Sequence, residues 1–341
     1  VAVGTRAYRQ GTGGSNVIVG GDAMSQYSGN NNVVMGTQAM YYGSGNNNVA
    51  IGTNANYNGT NSEATYEGTT AVGHNAQARS LNSTAIGRES IAGTAGSNDY
   101  FANAVAVGYK ANATGAYAVS IGENSNATAF GGTALGRMAN STSDNAVAIN
   151  GTATGFASVA MGIGSSSSGN SSVAIGNRTS SSNLSAIAIG LDAQAAGSES
   201  VAIGSNTNAN GYRNTAIGTN ACRFVNGSNK TCIGANSGPN SGTKYANSYD
   251  TVERIFVGSQ SKFNGGPAVL EVHNDSGSVR NVRATGRGKG DQTYEIKKTG
   301  VVVNGNLFVK GMIFFNDGTD DWSYPGTIKY NGKNDGYGAQ A

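Results

Sequence analysis

A loop able to cradle phosphate needs a glycine-rich run, a lysine, and then a serine or threonine to reach the metal. Gly286-Arg287-Gly288-Lys289-Gly290 supplies the first two and puts Gly290 where the hydroxyl is required. No long helical pattern follows to lend its N-terminus, so the run reads as a basic loop. Histidine chemistry is equally sparse. His74 and His273 are the only two histidines, no His-x-His is present, and His74 directly follows a glycine in a turn, as a surface residue would. Asn316-Asp317-Gly318-Thr319-Asp320-Asp321 is acidic but lacks the spaced ligands and terminal glutamate of a calcium loop, so it reads as a polar hairpin turn. With no histidine placed beside a serine or cysteine there is no general base for a nucleophile. Paired carboxylates occur only in turns, away from any groove of the kind glycan cleavage requires. The chain is therefore expected not to be an enzyme, with no catalytic residue, no metal site and no cofactor.

Charge is the remaining chemical signal. Arg280, Arg283, Arg287, Lys289, Lys297 and Lys298 form a basic cluster with Asp275, Asp291 and Glu295 interleaved. It reads either as a salt-bridged strand pair or, once multiplied by self-assembly, as a surface for anionic glycans. Over the whole chain the net charge is only +3, which argues against a nucleic-acid or membrane-surface protein. No apolar run of membrane-spanning length is present, so no membrane insertion is expected. The first residue is Val1 rather than Met, and a segment before it is expected to carry a signal, anchor or attachment domain. Cys222 and Cys232 are the only cysteines and leave the redox compartment open.

What must position these residues is a repeat. The 53 glycines among 341 residues, with 12% charged side chains, cannot build one thick core. Such a chain repeats a thin core many times. The tetrapeptide Val-Ala-Ile-Gly recurs, as at 173–176 and 201–204. Its anchors are Gly4, Gly20, Gly36, Gly52, Gly73, Gly87, Gly108, Gly122, Gly136, Gly162, Gly176, Gly190, Gly204, Gly218 and Gly234, with Asn150 in the same column. Spacing is 16 residues for the first three steps and then mostly 14, broken by two steps of 21 and one of 12. Before each anchor stands a large aliphatic residue, and two places earlier a Val, Thr or Ile; between them is usually alanine. Side chains of a strand alternate between faces, so one face is bulky and the other small. Three residues after each anchor stands Ala, Ser or Thr, which suggests a second tight contact per coil. Fourteen residues hold two short strands and two turns, stacking at about 4.8 Å per coil. The alanine face is expected to be the one that a second chain covers. The Asn30-Asn31-Asn32 and Asn46-Asn47-Asn48 segments are expected to stack as amide ladders.

The stretch SVAIGSNTNANGYRNTAIGTNA at 200–221 resembles the head repeat of YadA-type trimeric autotransporter adhesins, and the resemblance covers about residues 1–238. It implies an all-β fold, a trimeric left-handed parallel β-roll. Residues 239–341 have a different composition and no heptads or membrane-barrel strands. They are expected to form a β-rich C-terminal fibre and trimerisation region, in which Ile255-Phe256-Val257-Gly258 could be a last coil. Gly305–Ile313 and Gly326–Asn331 resemble strands near the ends of bacteriophage tail fibres. The resemblances imply a homotrimeric phage tail fibre, located on the virion and binding a host cell-surface glycan or protein, with other virion proteins joined through the missing N-terminus. The alternative is the head of a bacterial surface adhesin. An ice-binding solenoid would need a regular threonine array that the outward columns lack.

Each 21-residue step adds seven residues, which should bulge from an outer turn. The first contains Tyr57 and Tyr66, the second Tyr100 and Phe101. These aromatics, with Arg283, Arg287 and Lys289, are the candidate receptor contacts; the other reading is that the loops cap a neighbouring chain. Tyr27, Tyr41 and Tyr42 in the early turns carry the same two readings.

Overall fold

The computed structural model describes residues 1–57, 67–94, 103–223 and 227–238 in full, and the backbone of the strands Glu253–Val257, Leu270–Asp275 and Ser278–Arg283. Each repeat runs strand, turn, strand, turn. In one coil Val173–Ile175 is followed by Ser180–Ser181, and the next coil opens at Ile187–Ile189. Every strand pairs in parallel with its counterpart one repeat later, Val173 with Ile187, Ala174 with Ala188 and Ile175 with Ile189. The first sheet has 19 strands; sixteen are repeat rungs, from Ala2–Val3 to Lys230–Ile233, and three lie at 253 and beyond. A second sheet of 9 strands backs it from Gln77–Ala78 to Gln194–Ala195. No helix occurs among the described residues. The architecture is a parallel β-solenoid with the expected all-β roll.

Orientation of the first sheet differs from the sequence expectation. The alanine column points inward. Ala50, Ala71, Ala85, Ala106, Ala134, Ala148, Ala160, Ala174, Ala188, Ala202 and Ala216 are all fully buried. The flanking Val, Thr and Ile side chains point out. The reason is the shortness of the coil. Two sheets joined by four- and five-residue turns lie so close that only small side chains fit between them, and larger side chains must take the outer face. The second sheet shows the same rule, with Ala78, Ala92, Ala113, Ser141, Ser167 and Ser181 inside. The position three after each anchor is also inside. At Ser90, Ser125, Ser165, Thr179 and Thr207 the hydroxyl caps its own anchor carbonyl, as in Ser125 Oγ to Gly122 O at 2.9 Å and Thr207 Oγ1 to Gly204 O at 3.0 Å. Other interior serines bond one another or a backbone carbonyl: Ser167 Oγ lies 2.6 Å from Ser172 Oγ and 3.0 Å from Ser181 Oγ, and Ser141 Oγ donates to Ala146 O at 2.8 Å.

Coil length sets interior size. The 16-residue coils at the N-terminal end are wider, and Ile18, Val34, Met24, Met40 and Tyr27 replace the methyl groups. A buried asparagine column joins them. Asn16 Oδ1 accepts the Asn32 N–H and Asn32 Oδ1 the Asn48 N–H, both at 2.9 Å. The outer ladders form as expected, Asn30 Nδ2 to Asn46 Oδ1 at 3.2 Å and Asn31 Nδ2 to Asn47 Oδ1 at 3.4 Å. The 12-residue step is closed differently. Asn150 itself adopts φ +51°, and Gly151 rather than Ala153 fills the inner turn column, its carbonyl accepting the Asn140 N–H at 2.9 Å. Ala153 belongs to the second sheet, opposite Ser141.

At the other end Cys222 and Cys232 are joined in a disulfide, Cα–Cα 5.6 Å. Cys232 takes the inward place of Ala216, so the bridge lies inside the coil beyond the last second-sheet strand. The first sheet then continues: Ile255, Phe256 and Val257 pair in parallel with Thr231, Cys232 and Ile233, which makes this segment a further rung. Antiparallel strands Leu270–Asp275 and Ser278–Arg283 follow.

Two constraints can be tested directly. Gly204 has φ +132°, and a Cβ there would sit 2.7 Å from the carbonyl carbon and oxygen of Gly218 in the next coil. Gly204→Ala is expected to cost at least about 1–3 kcal/mol, read as a lower thermal midpoint. Gly21→Ala, where the added carbon meets nothing nearer than 4.0 Å, is expected to leave stability unchanged or raise it by under about 1 kcal/mol. The second concerns ion pairs linking coils. Arg178 binds Asp192 through two hydrogen bonds of 2.7 and 2.6 Å, and Arg213 binds Glu199 at 2.7 Å. The arginine hydrogen bonds, then their charge, hold both carboxyls below their ordinary range. A lowered carboxylate pKa adds stability above the ordinary carboxylate range, and that stability is lost as pH falls through it. Melting curves from pH 7 to 3 should therefore drop more steeply for the native chain than for Arg178→Met/Arg213→Met; equal slopes would remove these pairs from the stability of the coil stack.

Candidate functional site

The roll presents two outer faces and two turn corners, and their chemistry differs. The outer face of the first sheet is apolar on every rung. One column is Val, Thr or Ile and the other is Val, Met, Leu or Ile, and Ile51, Ile86, Ile121, Met161, Ile217 and Ile233 remain 36–41% exposed. Over fifteen intervals of about 4.8 Å this makes a strip about 70 Å long. A monomer rarely leaves so continuous an apolar surface in water. The outer face of the second sheet is polar at eight of its nine rungs, Gln77, Asn112, Asn126, Asn140, Thr152, Ser166, Ser180 and Gln194, with Ile91 the exception. Asn112, Asn126 and Asn140 form a continuous amide ladder with 2.8 Å hydrogen bonds.

The corner after the anchors carries most of the described charge. Arg88, Glu89, Tyr109, Lys110, Glu123 and Arg137 stack over successive coils, with Lys110–Glu89 at 3.6 Å and Arg137–Glu123 at 3.7 Å. Arg88 lies 4.5 Å and Lys110 5.3 Å from the Tyr109 ring centroid. Hydrogen bonding to Tyr109, then the charges of Tyr109 and Glu89, raise the Lys110 pKa, so it stays cationic. The charges largely serve one another. His74 is exposed in this corner, as the sequence suggested. Three or more metal-ligating side chains are nowhere grouped among the described residues.

The opposite corner carries a row invisible as a motif. Phe130, Phe156, Leu184 and Tyr212 occupy one position on alternate coils, 41–53% exposed, with Asp144, Asn170 and Ser198 between them. Asp144 and Asn170 accept the backbone N–H of Phe130 and Phe156. A step of two coils, 26 to 28 residues, is the only sequence signal of this row.

Of the candidate receptor contacts, Tyr57 is described; Tyr66, Tyr100, Phe101, Arg287 and Lys289 lie outside the described residues. So do Lys297, Lys298 and the turn at 316–321. Arg283 ends the strand Ser278–Arg283, known here by its backbone. Tyr27 does not face solvent: it is fully buried, and its hydroxyl accepts from Asn48 Nδ2 at 3.1 Å. Tyr41 and Tyr42 do reach the surface and meet Tyr57. The Tyr41 ring lies 4.4 Å from Tyr42 and 6.0 Å from Tyr57, and Tyr42 lies 6.3 Å from Tyr57. This cluster joins residues from two coils, so chain spacing alone did not bring it together.

A family model described as the YadA head domain repeat matches residues 67–90, 102–125, 126–149, 153–179, 181–207 and 196–221. No curated protein matches the chain. Each matched segment spans nearly two coils of the roll, and those coils carry an anchor turn, an inward alanine or serine and outward residues on either side of it. Residues 67–221 are a run of YadA head domain repeats, the building unit of a structural, adhesin-type or fibre protein.

Proposed function

We propose that this chain is a homotrimeric fibre that attaches a bacteriophage tail to its host cell, with three rolls packed through the apolar face of the first sheet. The observation that carries self-association is the strip of outward Val, Ile, Leu and Met side chains on sixteen successive rungs. Its identical geometry on each rung suits another copy of the same rung. The methyl-sized interior adds weight, because so little apolar volume inside each coil leaves much of the stabilisation to burial between chains. Three copies rather than two follows from likeness to YadA-type heads, which are trimers. The corrected orientation strengthens the reading: the surface offered to a neighbour is bulky and aliphatic, where small alanines would bury less.

Attachment to a phage tail rests on the sequence of residues 239–341, with its likeness to tail-fibre strands at 305–313 and 326–331. The second reading, a surface-adhesin head that contacts host tissue or matrix, is favoured by the head repeats themselves. Both are extracellular binding rods and differ in what they grip. In either case the receptor contacts belong to the corners and the polar face, since the apolar face is covered. Tyr57, Tyr66, Tyr100, Phe101, Arg283, Arg287 and Lys289 remain proposed contacts.

Light scattering should give three times the chain mass of 34.3 kDa. Ile189→Asp/Ile203→Asp changes two outward side chains and leaves Ala188 and Ala202 inside. It is expected to yield a β-rich monomer with a lower melting point, and a native chain that runs as a monodisperse monomer would end the assembly. Fluorescently labelled fibre is expected to decorate bacterial cells; decoration of animal-cell matrix alone would favour the adhesin head.

A further inference from the structure

We propose that Tyr41, Tyr42 and Tyr57 form a stacking platform for an uncharged hexopyranose of the receptor glycan, an inference that rests on the receptor-binding reading above.

The platform stands where the repeat has no need of aromatics. Strands Gln26–Ser28 and Tyr42–Ser44 pair in parallel, Gln26 with Tyr42, Tyr27 with Gly43 and Ser28 with Ser44. Tyr27 points inward and is fully buried, so Gln26 and Tyr42 point outward. Tyr41 and Tyr57 each stand five residues beyond an anchor, Gly36 and Gly52, and in the coil before both, five beyond Gly20, that place holds Ser25. The backbone of these coils is already joined through Gln26 N to Tyr41 O at 2.9 Å and Met40 N to Ala55 O at 2.9 Å. Serine and glutamine therefore satisfy the coil at these places, and the three rings are surplus to its closure. They lie on the side of the roll opposite the apolar strip, so packing through the first sheet leaves them open.

Their chemistry selects the ligand. All three side chains are partly exposed, and Tyr41 and Tyr42 meet edge to face. Aromatic faces take the C–H face of a sugar ring while phenol hydroxyls and amides meet its hydroxyl groups. Gln26 supplies the amide, its Nε2 lying 3.3 Å from the Tyr41 hydroxyl. Partial burial, then the neighbouring phenols Tyr41 and Tyr57, raise the Tyr42 pKa, so the hydroxyl stays protonated and neutral. No ion pair of the described residues involves this group, so nothing here favours a sialylated or phosphorylated sugar. A folded protein partner would need about 800 Å² on each side. Three rings offer at most about 150–250 Å² each, and part of that is already spent on one another. The area suits one or two sugar rings.

The test uses the full chain and an array of immobilised neutral and anionic oligosaccharides. The variant Tyr41→Ser/Tyr42→Gln/Tyr57→Ser installs the residues that the coil of Gly20 carries at these places, Ser25 and Gln26, and its thermal midpoint is measured alongside. The native chain is expected to retain a neutral saccharide, and the variant to bind it about tenfold more weakly or worse. Tyr42→Phe, which keeps the ring, should stay within about threefold of the native chain. Equal binding by the triple variant, retention of anionic saccharides alone, or no retention of any saccharide would overturn the platform. Cell binding separates the two levels. If native and triple-variant fibres decorate cells equally, the platform fails and the receptor-binding reading stands. If the native fibre decorates no cell, that reading fails and the platform with it.

Discussion

The structure depends on how closely one coil can lie on the next at the anchor turn. Gly204 and its counterparts bring their α-carbons against the carbonyl of the following anchor, and no space is left for a side chain. That approach lets the two strands of each coil hydrogen-bond to the coils before and after it without a break, so sixteen rungs stack in register. It also fixes how little the chain can use to turn. Four residues reverse direction after the first strand, and the last of them must be small, since it folds back under the anchor that opens the turn. The interior that remains accepts alanine and serine and little else, except in the 16-residue coils.

From that thin interior the rest follows. A fold that places its alanines inside must place its valines and isoleucines outside. It therefore makes a long apolar strip on one face as a direct consequence of closing a small coil. The second sheet largely escapes this because its outward positions, Ile91 apart, are Asn, Ser, Thr and Gln, and three of the asparagines make a ladder of their own. One face is thus suited to another chain and the other to water. The corners between them hold stacked side chains free of the packing rules, and there the chain places its paired charges, its alternating row from Phe130 to Tyr212, and its tyrosine cluster. Side chains on such a rod stand on a backbone held by hydrogen bonds to the coils on either side.

The two ends depart from the central pattern for identifiable reasons. Two extra residues per coil widen the N-terminal region, and the added volume is filled by Ile18, Met24, Tyr27 and the buried asparagines, which also satisfy backbone groups that the wider turn leaves open. At the other end the second sheet stops and a disulfide takes its place inside the coil, before the first sheet passes into Glu253–Val257 and turns antiparallel.

The sequence by itself determined the period, the register and the turn chemistry. Glycine at a fixed spacing needs a backbone only glycine adopts, and a one-residue slip would move every side chain to the wrong face, so the columns could be read from spacing alone. Asn30 over Asn46 and the outer asparagine ladder followed from identical residues one coil apart. Absence of a catalytic grouping was an expectation of the same reading, drawn from residue types. Only the tertiary structure decided which face of the strand is inside. Alternation marks two faces but does not say which is buried; that depends on the distance to the opposite sheet, and here it is too short for isoleucine. The same holds for Tyr27 against Tyr42, for Cys222 with Cys232, and for the meeting of Tyr41, Tyr42 and Tyr57. Each is settled by how one coil sits on the next, a relation that exists only once the chain has closed on itself.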